Sequence, residues 1–73
     1  MNATHYDHAA LERLRESKNL SRAEVANEIG VKRMTVYRAE NGAFVSYDLL
    51  CALARLYGVP VTSFLYPVPK EAA

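Results

Sequence analysis

The most informative stretch of the chain is residues 21–42, which read SRAEVANEIGVKRMTVYRAENG. Ser21 and Glu24 have the spacing of a capping box, in which the serine accepts a hydrogen bond from a helical N–H and the glutamate reaches back. Gly30 suits the left-handed residue that ends a helix, and Asn41-Gly42 is a strong turn signal. The stretch therefore predicts two short helices, the second and third of the chain, separated by a sharp turn.

Three residues predict how these two helices pack. Ala26, Gly30 and Val36 follow one another at intervals of four and six residues. The small Ala26 lets the helices approach closely, Gly30 permits the turn, and Val36 buries the inner side of the third helix. This spacing is typical of a helix-turn-helix, whose second helix enters the major groove of DNA.

Three further helices are expected around this pair. The first begins after Asp7 and runs to about Lys18, and the fourth follows Ser46 over residues 47–57 with apolar residues at helical spacing. The fifth is short and begins at Pro60, because proline suits the first turn of a helix. No stretch reads as a strand pair, so the predicted fold class is all-α, a compact domain of five helices.

The domain is predicted to span residues 7–66 of the chain. Residues 1–6 have no periodicity and are expected to form a flexible N-terminus. Residues 67–73 are expected to form a short extended tail, because Pro67 and Pro69 oppose a helix there.

Composition excludes several classes of protein. About half of the 73 residues are apolar, which allows one compact core but no second domain. Cys51 is the single cysteine, so no intramolecular disulfide is expected, and His5 and His8 lack the partners of a metal site. We find neither a membrane-spanning run nor a signal-peptide pattern, which favours a cytoplasmic protein.

The charge distribution is uneven although the net charge is only +1. Between positions 13 and 38 lie seven basic and three acidic residues, whereas the rest of the chain holds two basic and five acidic residues. The near-neutral total argues weakly against nucleic-acid binding, whereas the basic segment favours it. A solvated charged face is the alternative explanation.

Three phrases of the sequence resemble the Cro/phage-repressor (Xre) family of helix-turn-helix domains, namely LERLRESKNLSRAEVANEIGV, TVYRAENG and LLCALARLYGV. The resemblance extends from about Leu11 to Leu65. It implies a lambda-repressor-like fold in which the third helix reads base edges and the start of the second helix anchors a phosphate. It also implies a salt bridge between Arg15 and Glu40, and a turn at Asn41-Gly42 whose backbone approaches a phosphate.

Side-chain chemistry assigns roles on the third helix. Stepping around the helix by about 100° per residue places its varied side chains opposite Val36. Arginine can give two hydrogen bonds to guanine, and methionine can touch a thymine methyl group. The predicted base-reading residues are Arg33, Met34, Tyr37 and Arg38, and the predicted phosphate contacts are Arg22, Lys32, Thr35 and Asn41. As alternatives, Met34 can enter the core, Tyr37 can pack on a neighbour, and Arg38 can pair with Glu28.

The chain departs from the family pattern in three places. Lys32 stands where relatives have an N-cap, and Ala39 is smaller than the usual core residue. Residues 43–45 read Ala-Phe-Val where relatives carry cations, so a dimer interface is a candidate use for this loop. The candidate interface residues are Phe44, Val45, Phe64, Leu65 and Tyr66. Phe44 can alternatively close the core beneath the fourth helix.

The expected function is sequence-specific binding of double-stranded DNA by a transcriptional regulator of the repressor type. A homodimer on a palindromic operator is expected, because two recognition helices then reach successive major grooves. The alternative is a protein-interaction module on the same fold, such as an antitoxin or an adaptor. No catalytic set is visible, so enzyme activity, a cofactor, a small-molecule ligand and a membrane partner are not expected.

Overall fold

The computed structural model describes residues 6–65, and it is helical as predicted. The helices are α1 (His8–Ser17), α2 (Arg22–Ile29), α3 (Arg33–Glu40) and α4 (Tyr47–Tyr57), followed by a 3₁₀ helix over Val61–Phe64. The prediction of five helices is therefore corrected to four α-helices and one short 3₁₀ helix. The last segment is four residues long and ends at Leu65 in extended backbone, so it has no length in which to establish an α-helical repeat.

Side-chain caps explain where three of the four α-helices begin. The Asp7 side chain accepts from the Ala10 N–H at 3.2 Å, and Ser46 accepts from the Leu49 N–H at 3.1 Å. Ser21 and Glu24 form both halves of the capping box, as their spacing predicts. Each cap satisfies a backbone donor that would otherwise lack an intrahelical partner.

Left-handed residues separate the helices. Gly30 ends α2 with φ 76°, and Gly58 ends α4 with φ 74°. Asn19 takes the same conformation after α1 with φ 58°, which asparagine tolerates better than most residues with a Cβ atom. The turn at Gly30 joins α2 to α3, whereas the turns at Asn19 and Gly58 join α1 to α2 and α4 to the 3₁₀ helix.

The core lies where all the helices meet. Its largest fully buried side chains are Leu11, Val25, Val36, Leu50, Leu53, Tyr57 and Phe64. Burying a side chain of this size stabilises a fold by about 1.5–3 kcal/mol relative to leaving it in water. Phe64 is only 1% exposed, so its predicted place in a dimer interface is wrong: its ring belongs to the core of its own chain.

Tyr6 also belongs to the core, which corrects the prediction of a flexible N-terminus at that residue. It is 7% exposed, and its backbone pairs with Leu65 in an isolated antiparallel bridge. Its hydroxyl lies 2.9 Å from the Ala39 carbonyl oxygen and 2.5 Å from that of Ala43, so one proton serves two acceptors at the end of α3. Burial raises the pKa of Tyr6, which keeps this donor protonated. Residues 1–5 and 66–73, which include Tyr66 and the predicted tail, lie outside the described residues.

Over residues 6–65, the helices are all too short or too polar to cross a membrane.

Candidate nucleic-acid interface

The outer side of α3 presents a row of exposed side chains. Met34 is 47% exposed and Tyr37 is 46% exposed, and Arg33 and Arg38 are also exposed. Val36 on the inner side is 1% exposed. Met34 thus lies outside the core, in contrast to the alternative that placed it inside. One face of α3 therefore packs in the core, and the opposite face is exposed to solvent.

A cleft of about 430 Å³ lies between the start of α2 and the outer face of α3. It is lined by Arg15, Ser21, Arg22, Ala23, Arg33, Met34 and Tyr37. The structure therefore brings together three predicted base-reading residues and one predicted phosphate contact, Arg22. Two of these residues are arginines, which donate hydrogen bonds and carry positive charge.

Arg38 and Thr35 lie along a different groove. This second groove, of about 390 Å³, also borders the loop that joins α3 to α4. It is lined by Val31, Thr35, Arg38, Phe44, Val45, Ser46 and Leu49. The predicted reading residues on the exposed face of α3 thus border two grooves, with Arg38 in the one next to the apolar loop.

Arg15 and Glu40 form the ion pair that holds α3 to α1. The Arg15 Nε donates to Glu40 Oε2 at 2.6 Å, and a second nitrogen donates to Oε1 at 3.2 Å. The Glu40 side chain is 2% exposed and that of Arg15 is 10% exposed. The hydrogen bond to Glu40 raises the pKa of Arg15 above its ordinary value. A two-point contact of this kind fixes orientation as well as distance.

Arg22 joins the same carboxylate, a contact that the sequence did not predict. Its Nε donates to Glu40 Oε1 at 2.8 Å, and another of its nitrogens lies 3.6 Å from a Glu12 carboxylate oxygen. Its guanidinium carbon lies 5.1 Å from the centre of the Tyr37 ring, within cation–π range. Arg22 and Glu40 are 18 residues apart, so no helical spacing indicates the contact. The predicted phosphate contact is thus also an internal partner of α3.

The other predicted phosphate contacts lie along α3 and at its ends. Lys32 is exposed just before the helix, and its side chain caps none of the first N–H groups of α3, although its carbonyl oxygen accepts from the Thr35 N–H at 2.9 Å. Asn41 follows the helix and donates its side-chain N–H to the Tyr37 carbonyl oxygen at 2.8 Å. Exposed cations beside free helical N–H groups suit an anion such as a phosphate.

The predicted dimer residues have different environments. Phe44 is 85% exposed, which rules out the alternative that it closes the core beneath α4. Val45 and Leu65 are half-buried. Tyr47, which the sequence did not indicate as an interface residue, is 51% exposed and follows Phe44 by three residues. Its position at the start of α4, shortly after another aromatic residue in the loop, could have indicated this exposed site.

Tyr57 is a buried tyrosine close to the charges of Arg15 and Glu40. Tyr57 is 1% exposed, and among residues 6–65 no protein group makes a hydrogen bond to its hydroxyl. Burial, with the nearby negative charge of Glu40, raises the pKa of Tyr57 to about 12.

The described part of the chain holds no cluster of His, Cys, Asp or Glu side chains that can bind a metal ion.

Comparison with known proteins identifies the family. A family model described as a helix-turn-helix domain matches residues 9–63. Among curated proteins, none matches the chain. The match spans α1 to α4 and most of the 3₁₀ helix, and so includes the two helices that form the motif. The chain therefore belongs to the helix-turn-helix domain family.

Proposed function

We propose that the protein is a sequence-specific regulator of transcription of the Cro/phage-repressor (Xre) type, which inserts α3 into the major groove of double-stranded DNA. One observation carries this proposal: Arg33, Met34, Tyr37 and Arg38 are exposed on α3 while Val36 and Ala39 bury its other side. An α-helix fits the width of the major groove, where each base pair presents a distinct pattern of donors and acceptors.

Each exposed side chain suits a different part of the DNA. Arg33 lies at the first turn of α3 and can donate two hydrogen bonds to guanine O6 and N7. Met34 suits a thymine methyl group. Lys32 and Asn41, which flank α3, suit phosphates on either side of the groove, and such contacts position the helix without reading sequence.

A homodimer supplies the affinity that one short helix lacks. Two copies place their recognition helices in successive major grooves about 34 Å apart, which requires a palindromic site. Phe44 and Val45 are the proposed interface, to which we add Leu65 and the exposed Tyr47 at the start of α4. Tyr6 supports this grouping, because it touches the carbonyl oxygen of Ala43 and pairs with Leu65. A dimer of this type represses transcription where its site overlaps a promoter.

Selection of binding sites from random duplex DNA tests the proposal. We expect one palindromic sequence to be enriched, with half-sites spaced by about one helical turn. Affinity for that site should fall steeply with salt, because phosphate contacts release counterions. Failure to enrich any sequence at low salt would contradict the proposal.

A second function is favoured by the exposed aromatic residues. Phe44 is exposed in the loop where relatives usually carry cations, Tyr47 is exposed at the start of α4, and the net charge is only +1. These features suit a protein-interaction module, such as an antitoxin or an adaptor, with the loop as its docking surface. If no DNA site is enriched while Phe44→Lys abolishes binding to a protein partner, this function replaces the first.

A further inference from the structure

Glu40 is the junction at which three helices meet. It is the last residue of α3, its side chain is 2% exposed, and its two carboxylate oxygens accept from Arg15 on α1 and Arg22 on α2. The Arg15 contact is bidentate, and the Arg22 contact uses Nε at 2.8 Å. The carboxylate therefore fixes the place of the Arg22 guanidinium relative to α3.

Arg22 links the Glu40 carboxylate to Tyr37 on the exposed face of α3. Its guanidinium carbon lies 5.1 Å from the centre of the Tyr37 ring, and Tyr37 precedes Glu40 by three residues on α3. Residues at this spacing are neighbours on a helix surface. One guanidinium thus bonds the buried carboxylate through Nε and also lies over the exposed ring. Only arginine can do both, because its donors lie in a plane that can also stack.

We infer that Arg22 is a positioning residue for base recognition: held by Glu40, it limits the orientations of Tyr37 and so sharpens the preference of Tyr37 for its base pairs. This inference rests on the proposed function. Arg22, Tyr37, Arg33 and Met34 line one cleft, so the ring is fixed next to the other reading side chains. A restrained side chain loses less conformational freedom on binding than a free one. It also cannot rotate to relieve an unfavourable contact with a base pair other than its preferred one.

Charge and positioning can be separated by one substitution. Arg22→Lys keeps the positive charge, but a lysine cannot bond Glu40 and stack on Tyr37 together. We expect its salt dependence of binding to stay close to wild type. We expect discrimination at the base pairs under Tyr37 to fall roughly two- to fivefold, the range for an exposed cation–π contact. Arg55→Lys is the matched control, because Arg55 is exposed on α4 outside the proposed DNA contacts and also keeps its charge, and it should leave discrimination unchanged.

A double-mutant comparison completes the test. Discrimination is measured by quantitative sequencing of bound random duplexes for wild type, Arg22→Lys, Tyr37→Ala and the double variant. If Arg22 acts through Tyr37, Arg22→Lys has no further effect on discrimination once Tyr37 is alanine. Additive effects, or unchanged discrimination in Arg22→Lys, would overturn the inference.

The free protein gives a readout that needs no DNA. The ring resonances of Tyr37 in NMR spectra should shift in Arg22→Lys, while those of the buried Tyr57 stay in place. Shifted Tyr37 resonances without any enriched DNA site would mean that the proposed function fails although the side-chain restraint exists. Unshifted Tyr37 resonances would overturn the restraint itself.

Discussion

At the scale of single residues, Glu40 matters most because it is a buried charge with two cationic partners. Burying a carboxylate is costly unless it is paired and hydrogen-bonded, and here both oxygens accept from arginines. The sequence predicted the Arg15 contact through the family resemblance. It did not predict the Arg22 contact, which arises only when α2 packs against α3.

Glu40→Gln should destabilise the fold by about 3 kcal/mol, because it leaves the buried Arg15 guanidinium with only the partly exposed Glu12 carboxylate, 4.0 Å away, as a counter-charge. Urea unfolding followed by circular dichroism measures the change. Glu16→Gln is the matched control, since Glu16 is exposed on α1, and it should change the free energy of unfolding by under about 0.5 kcal/mol. A loss in Glu40→Gln as small as in the control would show that the junction does not hold the helices together.

Tyr57 should make the fold less stable as the pH rises into the alkaline range. Its pKa is about 12 in the folded chain and about 10 when unfolded, so its stabilising effect is complete below pH 10 and is lost between about pH 10 and 12. Tyr57→Phe should remove this contribution to the alkaline loss, which is up to about 3 kcal/mol in full and about half of that at pH 11. Near pH 7 it should be neutral or slightly stabilising, because no protein group in residues 6–65 bonds the hydroxyl. Unfolding of both proteins at pH 7 and pH 11 measures the difference. An equal alkaline loss in the two would contradict the assignment.

At the scale of elements, α3 is the helix that its own sequence supports least. It is eight residues long, its N-cap Lys32 makes no side-chain hydrogen bond, and its stability depends on Val36, Ala39 and Glu40 packing inward. A helix this short is not stable alone in water. Lys32 therefore contributes no side-chain cap to α3, and its proposed role is to contact a phosphate.

Lys32→Ser should therefore have opposite effects on the stability of the fold and on the affinity for DNA. A serine N-cap should stabilise the fold by about 0.5–1 kcal/mol. Loss of the cation should weaken DNA binding on all sequences and reduce the salt slope by about one unit. Arg55→Ser on α4 is the control for lost charge and should leave the slope unchanged. If Lys32→Ser binds DNA as tightly as wild type, Lys32 is not a phosphate contact.

Local signals predicted the elements better than the contacts between them. Caps at Asp7, Ser21 and Ser46 fixed the starts of three helices, because a capping side chain acts on its own next turn. The last helix was wrongly expected to match the others, since a proline start does not distinguish an α-helix from a 3₁₀ helix. Tyr6 was misplaced because its partners are 33 and 37 residues away, where no periodicity connects them.

At the scale of the whole molecule, the apolar residues divide into a core and an exposed loop. Phe64 and Phe44 are the two phenylalanines of the chain, and they are 1% and 85% exposed. The sequence treated them alike as candidates for a dimer interface. Whether a side chain is buried depends on the packing of all the helices, so the division could not be predicted from local pattern.

Phe44→Lys should yield a folded monomer, because it places a charge at the proposed interface without touching the core. Sedimentation equilibrium measures the mass, and circular dichroism shows that the helices remain. Phe64→Lys is the informative contrast and should unfold the chain, since it buries a charge among apolar side chains. A dimer that persists in Phe44→Lys would remove the loop from the interface.

The proposal that α3 reads base pairs rests chiefly on Arg33, the cation at its first turn. The test is the affinity of Arg33→Ala, relative to wild type, for the selected DNA site and for each single-base variant of that site. We predict a loss of about 1–3 kcal/mol on the best site and relaxed preference at one base pair of each half-site. Equal weakening on every sequence would contradict the account, because Arg33 would then contact only the phosphate backbone.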